Sequence, residues 1–195
     1  MRFKSRSILK GAVSVLMILL WSSFIQAADL KLGLRGGYRQ LKDSNLKNIY
    51  GNGNVYVPYV SYFPSEFYGL ELSYEGGYSK EAPIGLFDEQ STLSVQGLQL
   101  CGVLRYRVGQ FVPYFKFGGA CFFYKQDIES EYIRRNVDHH KWTTVVGAGV
   151  EWKLFSLLSL AAEWESIPLK VKPFDVEVDL GGSRFLLGLG MAFSF

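Results

Sequence analysis

Cysteine and histidine are nearly absent from this chain of 195 residues, which holds two of each: Cys101, Cys121, His139 and His140. The cysteines allow at most one disulfide, and the adjacent histidines give acid–base chemistry a single place to sit. The sequence also lacks a helical heptad, an internal repeat of roughly 20 to 50 residues and a low-complexity linker. Coiled coils, solenoids and tethered arrays are thereby excluded. Long apolar runs are missing too, with one exception at residues 11–25. No second run is long enough for a membrane helix.

Acidic residues are missing from that N-terminal region. Arg2, Lys4, Arg6 and Lys10 precede the apolar run, and Gln26-Ala27-Ala28 follows it with small side chains. This three-part pattern is that of a secretory signal peptide, expected at residues 1–27 with cleavage after Ala27 or Ala28. The apolar stretch is short for a retained helical anchor. The chain carries 21 Lys+Arg against 18 Asp+Glu, so losing the four leader bases leaves 17 against 18, a net charge near −1. The basicity belongs to the leader, and nucleic-acid binding has no compositional support. What remains, residues 28–195, suits one domain.

Within that domain the organising pattern is period two. In the last thirteen residues Phe185, Leu187, Leu189, Met191, Phe193 and Phe195 share one face, while Arg184, Leu186, Gly188, Gly190, Ala192 and Ser194 share the other. A strand with one greasy and one small-residue face fits a narrow barrel with lipid outside and a crowded lumen. Similar strands are expected at residues 30–40, 55–63, 68–78, 92–106, 111–124, 142–152 and 157–167. Residues 55–63 are aromatic and β-branched on both faces, so their facing stays open. In residues 68–78, Tyr78 falls with Leu70 and Leu72. Long connections are expected at 42–54, 80–91, 125–141 and 168–182, and short turns at 64–66, 108–109 and 154–156.

Eight strands with alternating long and short connections specify an all-β, eight-stranded antiparallel up-and-down transmembrane β-barrel. Each strand is close to the ~9–11 residues that cross a bilayer at a tilt. Short turns belong in the periplasm and long loops outside. Aromatics at 16% and 21 glycines fit aromatic girdles and a close-packed lumen. Nine charges, Arg35, Glu71, Glu75, Arg105, Lys116, Glu151, Glu163, Glu165 and Arg184, share the face opposite the leucines and aromatics. They form a candidate lumen charge network and argue against a soluble barrel with greasy faces inward.

The segments V-P-Y at 112–114, G-A-G-V-E-W at 147–152, L-A-A-E-W at 160–164 and the terminal G-L-G-M-A-F-S-F resemble the small outer-membrane barrels of the OmpA transmembrane-domain and OmpX type. The resemblance covers the whole mature chain and implies residence in the bacterial outer membrane, among lipid and lipopolysaccharide. It also implies that Phe193 and Phe195 form an assembly signal for the barrel-assembly machinery. The peptidoglycan-binding domain appended to larger relatives has no counterpart, so that activity is not expected.

Fold does not settle function. The favoured expectation is a non-enzymatic barrel with a structural or adhesion-like role through four extracellular loops, free of cofactors and open to an extracellular ligand. A lipid A-modifying enzyme is one alternative, but no His-x-Ser lies on a lipid-facing strand to supply nucleophile and base. His139 and His140, beside Asp138, could hold a metal with Glu129 or Glu131, though a solvated loop is the favoured reading. A small-solute channel is the other alternative, disfavoured because eight strands leave a lumen that side chains fill. Cys101 is expected opposite Lys116, about five positions from Cys121 and on the other face, so no disulfide is expected. Finally, residues 169–180 alternate about a turn at Phe174-Asp175. That register pairs Lys172 with Glu177 and Lys170 with Asp179, and extends downward to pair Glu165 with Arg184 and Glu163 with Leu186.

Overall fold

A computed structural model describes residues 29–84, 89–129, 134–171 and 178–194. The expected signal peptide, the Lys172–Glu177 pair with its Phe174-Asp175 turn, and Phe195 all lie outside the described residues. The strands are β1 (Asp29–Leu41), β2 (Gly53–Phe63), β3 (Tyr68–Ile84), β4 (Glu89–Arg105), β5 (Phe111–Glu129), β6 (Arg134–Lys153), β7 (Leu158–Ile167), the short pair β8 (Lys170–Val171) and β9 (Val178–Asp179), and β10 (Gly182–Ser194). Eight of them close an antiparallel barrel in the order β1-β10-β7-β6-β5-β4-β3-β2, and β8 pairs with β9 alone. Closure leaves no unpaired sheet edge in hydrocarbon, where each orphaned backbone group would cost several kcal/mol.

The alternation sorts side chains as a lipid-facing barrel requires. Leu32, Leu34, Leu70, Leu72, Leu98, Leu100, Leu187 and Leu189 are exposed on the outside, and the charges point in. β2 resolves the facing that its composition left open: Val55, Val57, Tyr59 and Phe63 are buried, and Tyr56 is outside.

Two long connections prove to be largely strand. β3 runs on to Ile84 and β4 starts at Glu89, where a loop was expected at 80–91. Likewise β5 runs to Glu129 and β6 starts at Arg134, inside the expected loop 125–141. The barrel wall is therefore uneven, with β3 to β6 at 17 to 20 residues and β1, β2, β7 and β10 at 10 to 13. The connection at 42–54 holds a helix, α1 (Ser44–Tyr50), whose first turn is capped by the Asp43 carboxylate accepting from Asn45 N at 2.8 Å and Leu46 N at 3.3 Å.

One facing and one register also differ from expectation. Pairing of β3 with β4 slips between Glu75 and Tyr78, and Gly77 sits at φ +90°. This bulge reverses the facing of the strand above it, so Tyr78 is buried inside rather than outside with the leucines. Across the β4–β5 hairpin, Cys101 pairs with Gly118 and Leu98 with Cys121. The turn centres on Gly109 (φ +62°) and Gln110, one residue later than expected, which moves every partner by two. The offset between the cysteines is three positions, not five. Both are free and buried, Cys101 on the lumen face.

At the long-connection end the lumen is filled by apolar side chains. Val57, Tyr78, Val95, Phe122, Leu169 and Leu186 are buried there, with Tyr50 of α1 packed over them. Tyr50 is held by Ser91 Oγ at 2.7 Å and by Gln126 Nε2, which donates to its hydroxyl at 2.9 Å.

Candidate functional site

Below that apolar layer the lumen holds a ladder of ion pairs, built because inward positions of neighbouring strands sit opposite one another. β10 pairs with β7 so that Arg184 faces Glu165 and Leu186 faces Glu163, and Lys170 faces Asp179 in the β8–β9 pair of the same register. Arg184 donates to Glu165 and to Glu75, and its remaining nitrogen reaches Gln99 Oε1 at 2.9 Å. Arg39 also donates to Glu75, and to the Leu180 carbonyl at 2.9 Å.

One level down, Arg35 grips Glu71 with two bonds of 2.7 Å while its guanidinium lies 3.8 Å over the Tyr59 ring. Lys116 is the hub. Its Nζ lies 3.1 Å from Glu71 and 2.7 Å from Glu163, and it contacts Glu165 as well. Ser61 donates to Glu71 at 3.1 Å and the Tyr114 hydroxyl to Glu163 at 2.6 Å. Space for the hub comes from Gly147: a Cβ there would sit 3.0 Å from both Lys116 Cε and Glu165 Cγ.

Toward the short-turn end two further pairs stand apart, Lys31 with Glu151 at 2.5 Å and Arg105 with Asp29 at 2.8 Å. Of the nine charges singled out in the sequence, seven meet in one network: Arg35, Glu71, Glu75, Lys116, Glu163, Glu165 and Arg184. Glu151 and Arg105 sit below it with other partners. Sequence reasoning passed over Lys31, Arg39 and Asp29. The first two share the β1 parity of Arg35, so the signal for them was present; Asp29 opens the strand and carries none.

Counted together, the described lumen holds six cations (Lys31, Arg35, Arg39, Arg105, Lys116, Arg184) and six carboxylates (Asp29, Glu71, Glu75, Glu151, Glu163, Glu165) in contact. An ion taken out of water costs several kcal/mol unless opposite charge and hydrogen bonds replace its hydration. Charge balance, with more than one donor on each of Glu71, Glu75, Glu163 and Glu165, meets that condition, so paired charge fills this part of the lumen.

Of the candidate metal residues, His139 and His140 do not converge on one site. His139 and His140 belong to β6, where successive side chains point to opposite faces. His139 lies against Tyr124, with ring centroids 6.0 Å apart, and His140 against Phe123 at 6.2 Å. Glu131 and the Glu129 side chain lie outside the described residues. Among the described residues no three His, Cys, Asp or Glu side chains converge on a metal site.

A closed eight-stranded barrel with leucines outside and ion pairs inside agrees with a family match. The family model for the outer membrane protein beta-barrel domain aligns with residues 12–193. The chain belongs to that family. Its members are barrels of the bacterial outer membrane, and this outer-membrane barrel shares its fold with several of known structure. One is OprG of Pseudomonas aeruginosa, at 13% identity and TM-score 0.64, covering 86% of this chain and 95% of that one. The N-terminal barrel of Pseudomonas aeruginosa OprF aligns at 16% identity and TM-score 0.54, covering 86% and 97%. Ail, the attachment invasion locus protein of Yersinia pestis, aligns at 15% identity and TM-score 0.52, covering 86% and 98%. At such identities the likeness concerns the fold alone. No curated protein sequence matches. In the outer-membrane barrel, Phe193 pairs with Leu30 and so sits at the seam that closes the cylinder.

Proposed function

We propose that this outer-membrane barrel is a non-enzymatic surface-interaction protein, inserted through its C-terminal strand and presenting its long connections to the outside. The observation that carries this reading is the combination of a sealed lumen and a raised wall. The lumen is plugged by ion pairs and then by an apolar layer, so its interior is committed to holding the cylinder together. β5 continues eight residues past Cys121, which is about 26 Å of strand at the usual rise. That raised wall and α1 supply rigid surface where the connections of a minimal barrel would supply only turns or loops. The Ail structure, solved with the heparin analogue sucrose octasulfate, offers a fold-level parallel for ligand capture by such a surface.

Residues 1–27 serve in this reading as the export signal, and Phe193 with Phe195 as the feature offered to the assembly machinery. The test is a binding screen of the refolded barrel against host-matrix proteins, run beside variants shortened at 80–91 and 125–141. Binding that disappears with the raised wall is the expected result. Binding to none of the matrix proteins, or binding indifferent to the shortening, would remove the adhesion-like role.

A further inference from the structure

The lipid-facing wall carries a feature that the lumen and the raised wall do not use. A groove of about 970 Å³ crosses the outside of β1, β10, β7 and β6, bordered by Gly36, Leu187, Ala162, Trp164 and Ala148. Its floor is low because three of these positions are glycine or alanine, and nothing lies within 4 Å of where a Gly36 Cβ would stand. Two ridges rise beside that floor, Leu187 at 71% exposure and Trp164 at 41%.

Trp164 stands at an unusual depth for a lipid-facing tryptophan. Trp152 and Trp142 both point outward on β6, ten residues apart. That is about 25 Å along the axis at strand rise and the usual tilt of ~40°, the height of the apolar band between two aromatic girdles. The row Leu34, Leu189, Leu160, Trp152, Phe111 starts in mid-β1 and ends at the short-turn end of β5. Paired rows therefore sink toward that end, by about 3 Å per strand at a spacing of ~4.8 Å and the same tilt. Trp164 pairs with Ala148, four residues above Trp152. It thus lies about 13 Å above the Trp152 level, near mid-membrane. Tryptophan favours the boundaries, where its indole N–H finds an acceptor. Trp152 donates to Gln110 Oε1 at 3.3 Å, whereas no described residue accepts from Trp164. Acyl chains offer no acceptor at that depth, and an unpaired donor in hydrocarbon is costly. A protein surface can supply one.

We infer that the barrel forms a twofold dimer in the membrane, with Trp164 of each copy seated on Gly36 of the other. Gly36 and Ala162 both pair with Leu187, one on each side of β10. Following that row from β1 to β7 loses about 6 Å of height, and the two residues up to Trp164 recover about 5 Å. Trp164 and Gly36 are therefore level to within about 2 Å, as a twofold axis along the membrane normal requires. That axis passes between β10 and β7, and it also brings Leu187 of each copy against Ala162 of the other, about 3 Å apart in depth. One axis thus sets both ridges into both hollows, the self-complementarity that an isologous contact needs. Small residues let backbones approach closely inside a membrane. The bare Gly36 backbone then offers carbonyl oxygens, each with a second lone pair, to the indole N–H.

The test is association of the refolded chain in phosphatidylcholine vesicles, read as energy transfer between donor- and acceptor-labelled copies while lipid is added. Gly36→Leu fills the hollow from open space, and Gly102→Leu makes the same change on the far wall, where a Cβ meets only Phe117 O at 3.8 Å. Gly36→Leu should weaken association at least fivefold, and Gly102→Leu by less than twofold. Cross-linking checks the axis, with Cys101→Ala and Cys121→Ala in every barrel. A mixture of Leu187→Cys and Ala162→Cys barrels should give at least fivefold more disulfide dimer than a mixture of Leu187→Cys and Leu100→Cys barrels. Transfer no greater than random proximity at every dilution, the outcome for a groove covered by acyl chains alone, would overturn the dimer. So would equal cross-linking in the two mixtures, or a Gly36→Leu variant that shows the folded band on unheated gels and associates like the parent.

Discussion

Arg184 and Glu165 face each other across two strands, yet the structure makes them unequal partners. Loss of Arg184 strands two buried carboxylates, Glu165 and Glu75, with only Lys116 and Arg39 left to share among the acids. Loss of Glu165 leaves Arg184 on Glu75 and Lys116 on Glu71 and Glu163. Breaking a buried pair from one side typically costs about 3–5 kcal/mol. Arg184→Gln should fall in that range in urea unfolding from detergent, and Glu165→Gln should cost less. The double variant should be less destabilised than the sum of the two, because the contact is lost only once. Strict additivity would mean that the two side chains do not meet. The cysteines make a second expectation at this scale. Cys101 points into the lumen, and Cys121 lies three positions along the hairpin on the other parity, about 10 Å of strand. Disulfides need Cα atoms within about 7 Å. Peptide mapping without reductant should find no Cys101–Cys121 link, and recovering one would mean that the β4–β5 register is wrong.

Among the elements, β3 shows how a single backbone irregularity redirects a strand. The bulge at Gly76-Gly77 turns Tyr78 inward, where its hydroxyl donates to the Gly51 carbonyl at 3.0 Å and ties the barrel to the end of α1. Gly77 holds φ +90°, and a Cβ there would lie 2.8 Å from the Tyr56 ring. A side chain in this region of backbone space costs roughly 1–2 kcal/mol before any clash. Gly77→Ala should therefore lower the unfolding midpoint, while Gly36→Ala, which has open space around its Cβ, should leave it nearly unchanged. Equal midpoints for the two variants would argue against the bulge. Strands inside the membrane were legible in the sequence because lipid and lumen impose opposite chemistry on alternate residues. Beyond the membrane that contrast fades. Gln126-Asp127-Ile128 and Glu81-Ala82-Pro83 carry no period-two signal, so the raised halves of β3 to β6 read as loops. The β8–β9 register was readable for the opposite reason, since opposite charges at Lys170 and Asp179 mark it directly. The seven-residue helix is too short for a periodic stripe, and its Asp43 cap reads equally well as a turn.

For the whole molecule the deciding feature is that the described residues fill the lumen in two consecutive layers of different chemistry. The lower layer is the Lys116-centred ion-pair ladder, which needs water excluded to keep its strength. The upper layer is the apolar group around Phe122, Tyr78, Leu169 and Leu186, which lies between the ladder and the long-connection end. Eight strands leave an interior that side chains can fill. In planar bilayers the barrel should show no stable conductance of porin size. Phe122→Ala should not change that, because removing the apolar side chain leaves every ion pair below it in place. The same variant should nevertheless lose about 3–5 kcal/mol of stability from the cavity created. The unmodified barrel should resist detergent at room temperature and change mobility on gels only after heating, since all its backbone pairing is internal. Stable porin-sized currents from unmodified protein would refute the double seal. Currents that arise only in Phe122→Ala would instead show that the apolar layer is the barrier and that the charged ladder lets ions pass.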